Sequence, residues 1–203
     1  MNLIGSKTIE TDRLVLRAQT MGEQKYLWSV LMMPEVNKYY LVVPQFLREK
    51  LKDWSKQEPY YEEDMKKANN PDVFRWSIFL KETGECIGKV GCHKASDEYD
   101  DIDDSEIRSV GWYIDPKYQG YGYGKEAAKA MIEYMFDKVN IKEIKTGAAI
   151  ENPASWKIME GLGFKNTGKT KMVQYTYLDK PSEDYQYILT KEMYLENNKN
   201  KVK

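Results

Sequence analysis

At 203 residues, with 41% hydrophobic and 13% aromatic side chains, the chain is long enough to bury a sizeable core and short enough for one domain. Lysine and arginine number 31 against 32 aspartates and glutamates, so no basic excess points to nucleic acid. No apolar run approaches a membrane span, and the N-terminus carries neither a basic nor an apolar leader region; the expectation is a cytoplasmic protein with no membrane partner.

Periodicity orders the elements. Leu14 and Leu16 alternate with Val15 and charged neighbours in a first strand, and Leu27, Val30 and Leu31 recur on a helix that stops before Pro34. A second helix is expected after Pro44 through Leu47, Leu51 and Trp54, followed by a more polar helical segment from Tyr60 to Asn69. Trp76, Ile78 and Leu80 alternate, Thr83-Gly84 turns the chain, and Cys86 to Lys94 returns to complete an antiparallel hairpin. On that strand Cys86, Gly88, Val90 and Cys92 fall on one face. The two cysteines therefore read as structural thiols, with a reactive Cys86 or Cys92 beside His93 as the alternative; they are too few and too widely spaced for zinc.

Beyond an acidic loop, Arg108 to Ile114 forms the central strand, and Ala128, Met131, Ile132, Met135 and Val139 mark the buried face of the next helix. Ile144 to Ile150 reads as a strand and Pro153 to Leu162 as a short helix. Met172 to Leu178 and Tyr185 to Leu189 close the fold as a hairpin around Lys180-Pro181-Ser182. Residues 1–195 then form a single domain, and the lysine- and asparagine-rich tail 196–203 is expected to be disordered. Strands joined mostly by hairpins, with helices laid over them, define an α+β class built on one mixed, largely antiparallel central sheet.

The richest segment runs from Asp115 through Pro116, Lys117, Tyr118, Gln119, Gly120, Tyr121, Gly122, Tyr123, Gly124 and Lys125 to Glu126 and Ala127, from a strand into a helix. Glycines there allow positive φ and close backbone approach, and the helix start adds a dipole that favours an anion such as a phosphate. A Walker loop is excluded because Gln119 and Glu126 stand where it needs a glycine and a hydroxyl. Gly122, Gly124 and Ala127 satisfy the dinucleotide pattern G-x-G-x-x-A, with Glu143 at about the right distance for a ribose. The context fails, since several loop residues separate Ile114 from Gly122 and Glu143 opens the next strand.

Gln119-x-x-Gly122-x-Gly124 resembles the Q/R-x-x-G-x-G/A loop with which the GNAT acyltransferase superfamily holds the pyrophosphate of acetyl-coenzyme A (acetyl-CoA). Glu151-Asn152-Pro153-Ala154-Ser155, continuing to Glu160-Gly161-Leu162-Gly163-Phe164, resembles the E-N-x-x-S and E-K-L-G-F block of the same superfamily. The opening Glu10-Thr11-Asp12-Arg13-Leu14-Val15-Leu16-Arg17, with Pro34-Glu35-Val36, resembles the Rim-type branch, which acetylates protein N-termini. The resemblance spans nearly the whole chain and is weakest between Val36 and Asp72.

The resemblance implies the GNAT fold, in which the central strands Arg108 to Ile114 and Ile144 to Ile150 splay apart and admit the pantetheine arm of acetyl-CoA. It places Val110, Gly111, Trp112, Tyr113 and Ile114, the loop from Gln119 to Lys125, and Asn152 and Ser155 around that cofactor, with the N–H of Val110 or Gly111 for the oxyanion. Many relatives carry a tyrosine acid where this chain has Met159; Ser155 matches the serine that Rim-type enzymes offer to the sulfur. Asn152, Pro153 and Ser155 also fit a plain helix start. Ser109 stands where Rim-type sequences often carry a glutamate base, so Glu106 is the shifted substitute, against a water-relayed base or a tyrosine.

The implied acceptor is a primary amine, a protein N-terminus or a small cationic amine such as a polyamine or aminoglycoside, on a monomer or homodimer. A non-catalytic acyl-CoA-binding module is the reading Met159 and Ser109 encourage, and a nicotinamide oxidoreductase the remoter one. The acidic loop Asp97 to Glu106 breaks the calcium-loop pattern, with Glu106 where glycine is needed and Trp112 where the bidentate glutamate belongs, so no metal is expected. It reads as a solvated connection or as an attractor for a cationic acceptor, whose site the pairs Tyr39-Tyr40 and Tyr60-Tyr61 would help line.

Overall fold

Phe74, Trp76 and Ile78 alternate with Arg75, Ser77 and Phe79, and this period of two buries one row of side chains under a helical layer while the other row faces the opposite side of the sheet. The computed structural model describes residues 1–95 and 106–201. It contains β1 (Ile9–Glu10), β2 (Leu14–Ala18), α1 (Met21–Leu31), α2 (Pro34–Asn37), α3 (Arg48–Leu51), α4 (Trp54–Met65), β3 (Phe74–Leu80), β4 (Cys86–Lys94) and β5 (Ile107–Ile114). There follow α5 (Tyr123–Tyr134), β6 (Glu143–Ala149), α6 (Pro153–Gly161), β7 (Lys165–Val173), β8 (Ser182–Thr190) and α7 (Lys191–Lys201). One mixed sheet is ordered β1-β2-β3-β4-β5-β6-β8-β7, with β5 and β6 parallel and the other neighbours antiparallel. Among the described residues no helix is long and apolar enough to cross a membrane.

Helices cover both faces. Met131, Ile132, Met135 and Val139 pack where their spacing puts them, in one core with Trp76, Ile78 and Val90; Ala128 is buried too, and α5 runs on into a π-helical turn over Met135–Val139. On the other face Leu27, Val30 and Leu31 of α1 pack with Val36 and Tyr113. Helix α1 opens on a capping box of Thr20 and Glu23, which satisfies backbone donors that the helix itself leaves unpaired.

Four expectations change. The helix after Pro44 is broken: Gln45–Leu47 is a 3-10 turn leading into α3, and the Asp53 side chain accepts from Ser55 N to start α4 at Trp54, so Trp54 belongs to the polar helix that was expected from Tyr60. The β3–β4 pairing shifts register between Ile78 and Phe79, opposite Gly88 and Cys86. This irregularity turns Cys86 to the α1 face, while Cys92 stays in the core under α5. Burial pushes both thiols up, Cys86 to about 11 and Cys92 to about 12, against reactivity in either. The last hairpin begins its first strand at Lys165 and ends it at Val173. The tail is helical to Lys201, because Tyr194 anchors its first turn: the ring stacks on Phe136 at 4.8 Å and the hydroxyl donates to Asp137.

Arg108, in the parallel stretch of β5, is 1% exposed and donates to Asp72 at 2.6 Å; Lys94 lies 3.2 Å from the same carboxylate. Burial alone would raise the pKa of Asp72, but the hydrogen bonds from Arg108 and Lys94 outweigh it and hold the carboxyl below its usual value. A lowered folded-state pKa means stabilisation present above the unfolded value of about 4 and lost as pH falls through the folded value. Asp72→Ala should cost on the order of 3 kcal/mol in urea unfolding at pH 7, since it strands a buried guanidinium. An unchanged midpoint and slope would show the pair contributes no net stability.

Candidate active site

The glycine loop is organised from both ends. Asp115 accepts from Lys117 N at 2.9 Å, starting a 3-10 turn over Pro116–Tyr118, and the Gln119 side chain donates back to Ile114 O at 2.9 Å. Gly120 and Gly122 have φ of 85° and 84°, a conformation that costs any residue with a Cβ, and Gly122 is the N-cap of α5. The N–H groups of Tyr123, Gly124 and Lys125 open the helix with no carbonyl a turn behind them. These donors and Lys125 fit a pyrophosphate.

Glu126, in the same first turn, would repel an anion, but it is neutralised from outside. Arg13 binds it at 2.6 Å, Thr11 donates at 2.6 Å, and Arg13 also donates to Tyr121 O. Against the upward push of partial burial, these contacts lower the Glu126 pKa. The N-terminal segment singled out by resemblance thus braces the loop, a role its residues gave no hint of. Tyr121 is 64% exposed, stacks on Tyr123, and does not line the cleft.

The parallel pairing of β5 and β6 is confined to Ile107 with Glu143 and Arg108 with Ile144. Past it the Thr146 hydroxyl donates to Val110 O at 3.2 Å, and the strands then diverge. The gap belongs to a cleft of about 1380 Å³. Val110, Gly111, Trp112, Tyr113 and Ile114 line it, as do Gln119, Gly120 and the residues from Gly122 to Lys125. That volume exceeds the roughly 300–1,000 Å³ of an ordinary small-molecule pocket and leaves room for two substrates together.

Asn152 and Ser155 also line it. Asn152 makes no side-chain capping bond, and the Ser155 hydroxyl, half-buried, has no hydrogen bond among the described residues, so the helix-start role is not what either side chain performs. Met159, one turn beyond Ser155, is 2% exposed in the cleft wall and has no proton to give. Glu106 does not line the cleft; its carboxylate holds the Met1 amine at 2.7 Å. Ser109 is buried. The rest of the acidic loop, residues 97–105, lies outside the described residues.

The far end of the cleft joins expected residues to others that motif reading passed over. Gly91 and Gly111 are direct partners on β4 and β5, and a Cβ on Gly111 would lie 3.6 Å from the Tyr40 hydroxyl. Tyr40 sits edge-on to Tyr113 at 5.0 Å. Lys89, Arg75, Asp64 and Asp184 line the same end, with Asp184 accepting from Tyr175 at 2.5 Å. Tyr39 packs edge-on against Tyr175, whereas Tyr60 and Tyr61 do not line the cleft. Thr176 joins the segment after α2 to the one after β7 by bonding Leu41 and Val43. Gly111, Tyr113 and the Tyr39-Tyr40 pair were expected from the sequence; Lys89, Arg75, Asp64, Asp184 and Thr176 form no sequence motif, and only their being brought together marks them.

A sheet whose parallel central strands part beside a glycine-rich helix start is the architecture of the acyl-CoA N-acyltransferases. The model of the acetyltransferase (GNAT) domain matches residues 13–165, and the chain belongs to that family. It is an acyltransferase, and acetyl-CoA is its co-substrate. It is 28% identical over 163 residues to the uncharacterized N-acetyltransferase p20 of Bacillus licheniformis, covering 80% of this chain and 84% of that one. Spermidine N-acetyltransferase from Vibrio cholerae, solved with CoA and spermine, superposes with a TM-score of 0.71 at 18% identity over 91% of this chain and 99% of its own. RimL, a ribosomal L7/L12 alpha-N-protein acetyltransferase solved with CoA, gives 0.71 at 14% identity over 91% and 98%. These likenesses show the fold and leave the acceptor class unresolved.

Proposed function

We propose that the protein acetylates the α-amine of a protein or peptide N-terminus, with both substrates bound together and the amine attacking the thioester directly. The observation that carries this is the continuous cleft from the glycine loop, past the bare Gly91–Gly111 floor, to the end lined by Tyr39 and Tyr40. The Rim-like opening segment adds support.

In this reading the N–H groups at the start of α5 and Lys125 hold the pyrophosphate. The N–H of Val110 or Gly111 binds the developing oxyanion. Ser155 donates a proton to the departing thiolate, which helps but is not indispensable because a thiol has a pKa of about 8.5. With Glu106 engaged by Met1, water in the cleft takes the proton from the incoming ammonium.

Thiol release from acetyl-CoA should be measured with peptides beginning in alanine or serine and with spermidine. Peptides should exceed spermidine in kcat/KM by about tenfold or more. A preference for spermidine would replace this reading with small-amine acetylation.

A further inference from the structure

The acceptor end of the cleft has a positive floor. Lys89 on β4 pairs with Tyr113 of β5 and lies two residues from Gly91, on the strand face that carries Arg75 of β3 and Gly111 of β5. Its side chain therefore reaches the space above the glycines where the amine must meet the thioester. Lys89 is half-buried, and its ammonium has no hydrogen bond or ion pair among the described residues. The charged groups that act on it are Arg75, which opposes its charge, and Asp64, which favours it. Asp64 is already bound to Arg75. Two cations thus share one carboxylate.

Of the other carboxylates lining the cleft, Asp72 is held by Arg108 and Lys94, Asp184 accepts from Tyr175, and Glu35 is exposed to solvent, so none of them is a buried counter-ion for Lys89. Burial, then the Arg75 charge, lowers the Lys89 pKa to about 8, so the side chain remains mostly protonated at neutral pH yet lacks a counter-ion. A half-buried cation in that state is stabilised by an anion arriving with the ligand, and a polycation meets repulsion there.

Resting on the N-acetyltransferase reading above, we propose that Lys89, assisted by Arg75, binds a carboxylate on the acceptor close to its reacting amine, making Lys89 a specificity-determining residue for acidic acceptors. The carboxylate has two possible sources, the α-carboxylate of a free amino acid or an acidic side chain next to a peptide N-terminus. Both present the same chemistry to the ammonium.

Product analogues test this without depending on turnover. With CoA present, calorimetry should compare acetyl-alanine with its amide, and acetyl-alanyl-aspartate amide with its asparagine counterpart. At least one carboxylate should bind about tenfold tighter than its neutral partner, and which pair shows it identifies the source. Lys89→Met should reduce that ratio to about one, and Lys89→Arg should retain most of it. Equal binding within both pairs by the parent protein, or a ratio that survives Lys89→Met, overturns the inference. So does a Lys89→Met variant in which kcat falls alike for acidic and neutral acceptors and the pH profile loses a limb, the signature of a general base. Turnover of neutral peptides with no carboxylate preference would leave the acetyl-transfer reading standing and remove only this one.

Discussion

Gly124→Asp should leave a folded protein that no longer binds acetyl-CoA. A Cβ at Gly124 would lie 3.5 Å from Ile114 Cγ1 and 3.7 Å from Ile158 Cδ1, ordinary van der Waals contacts with two side chains that line the cleft. An aspartate in the first turn of α5 also complements the helix dipole, worth about 0.3–1 kcal/mol, so the melting temperature should hold or rise slightly. The same carboxylate occupies the space proposed for the pyrophosphate and would repel it, and affinity by calorimetry should fall by about a hundredfold or more. Gly122→Asp is the less clean variant, because its φ of 84° adds strain of roughly 1–2 kcal/mol. Parent affinity in a folded Gly124→Asp protein would remove the loop from the site and leave it a packing turn.

With Ser155 as the proposed proton donor to the departing thiolate, Ser155→Ala is expected to lower kcat by about ten- to a hundredfold while acetyl-CoA affinity changes little. The structure sharpens the expectation. The hydroxyl caps nothing, so the substitution should cost little stability, where loss of a genuine helix cap costs about 1 kcal/mol. Met159 offers no second donor nearby to compensate. The decisive outcome against it is a lowered melting temperature with specific activity intact, which would return Ser155 to a helix-start role.

The strand alternation of Trp76, Ile78 and Leu80 and the helical spacing of Met131, Ile132 and Met135 were legible because burial imposes a period of two or of 3.6 wherever an element has one wet face. The glycine loop was legible for a related reason: positive φ and a short approach to a ligand leave few residue choices at Gly120 and Gly122. Misreadings arose where a local hydrogen bond or a slip in pairing interrupts the period. Asp53 captures Ser55 N and splits a helix whose apolar spacing runs on through Trp54. The register shift beside Cys86 moves it across the sheet while its sequence parity still matches Cys92.

Sequence alone therefore determined the α+β class, the loop that suits a phosphate and the serine at the start of α6, since each depends on neighbours within a few residues. Only the tertiary structure decided that Glu106 faces Met1 and that Arg13 reaches 113 positions along the chain to neutralise Glu126. It also decided that Lys89, Arg75 and Tyr40, far apart in the chain, line one cleft. The reason is physical: charge pairing and cleft electrostatics depend on distance in space, and strand order, which no local period encodes, sets those distances.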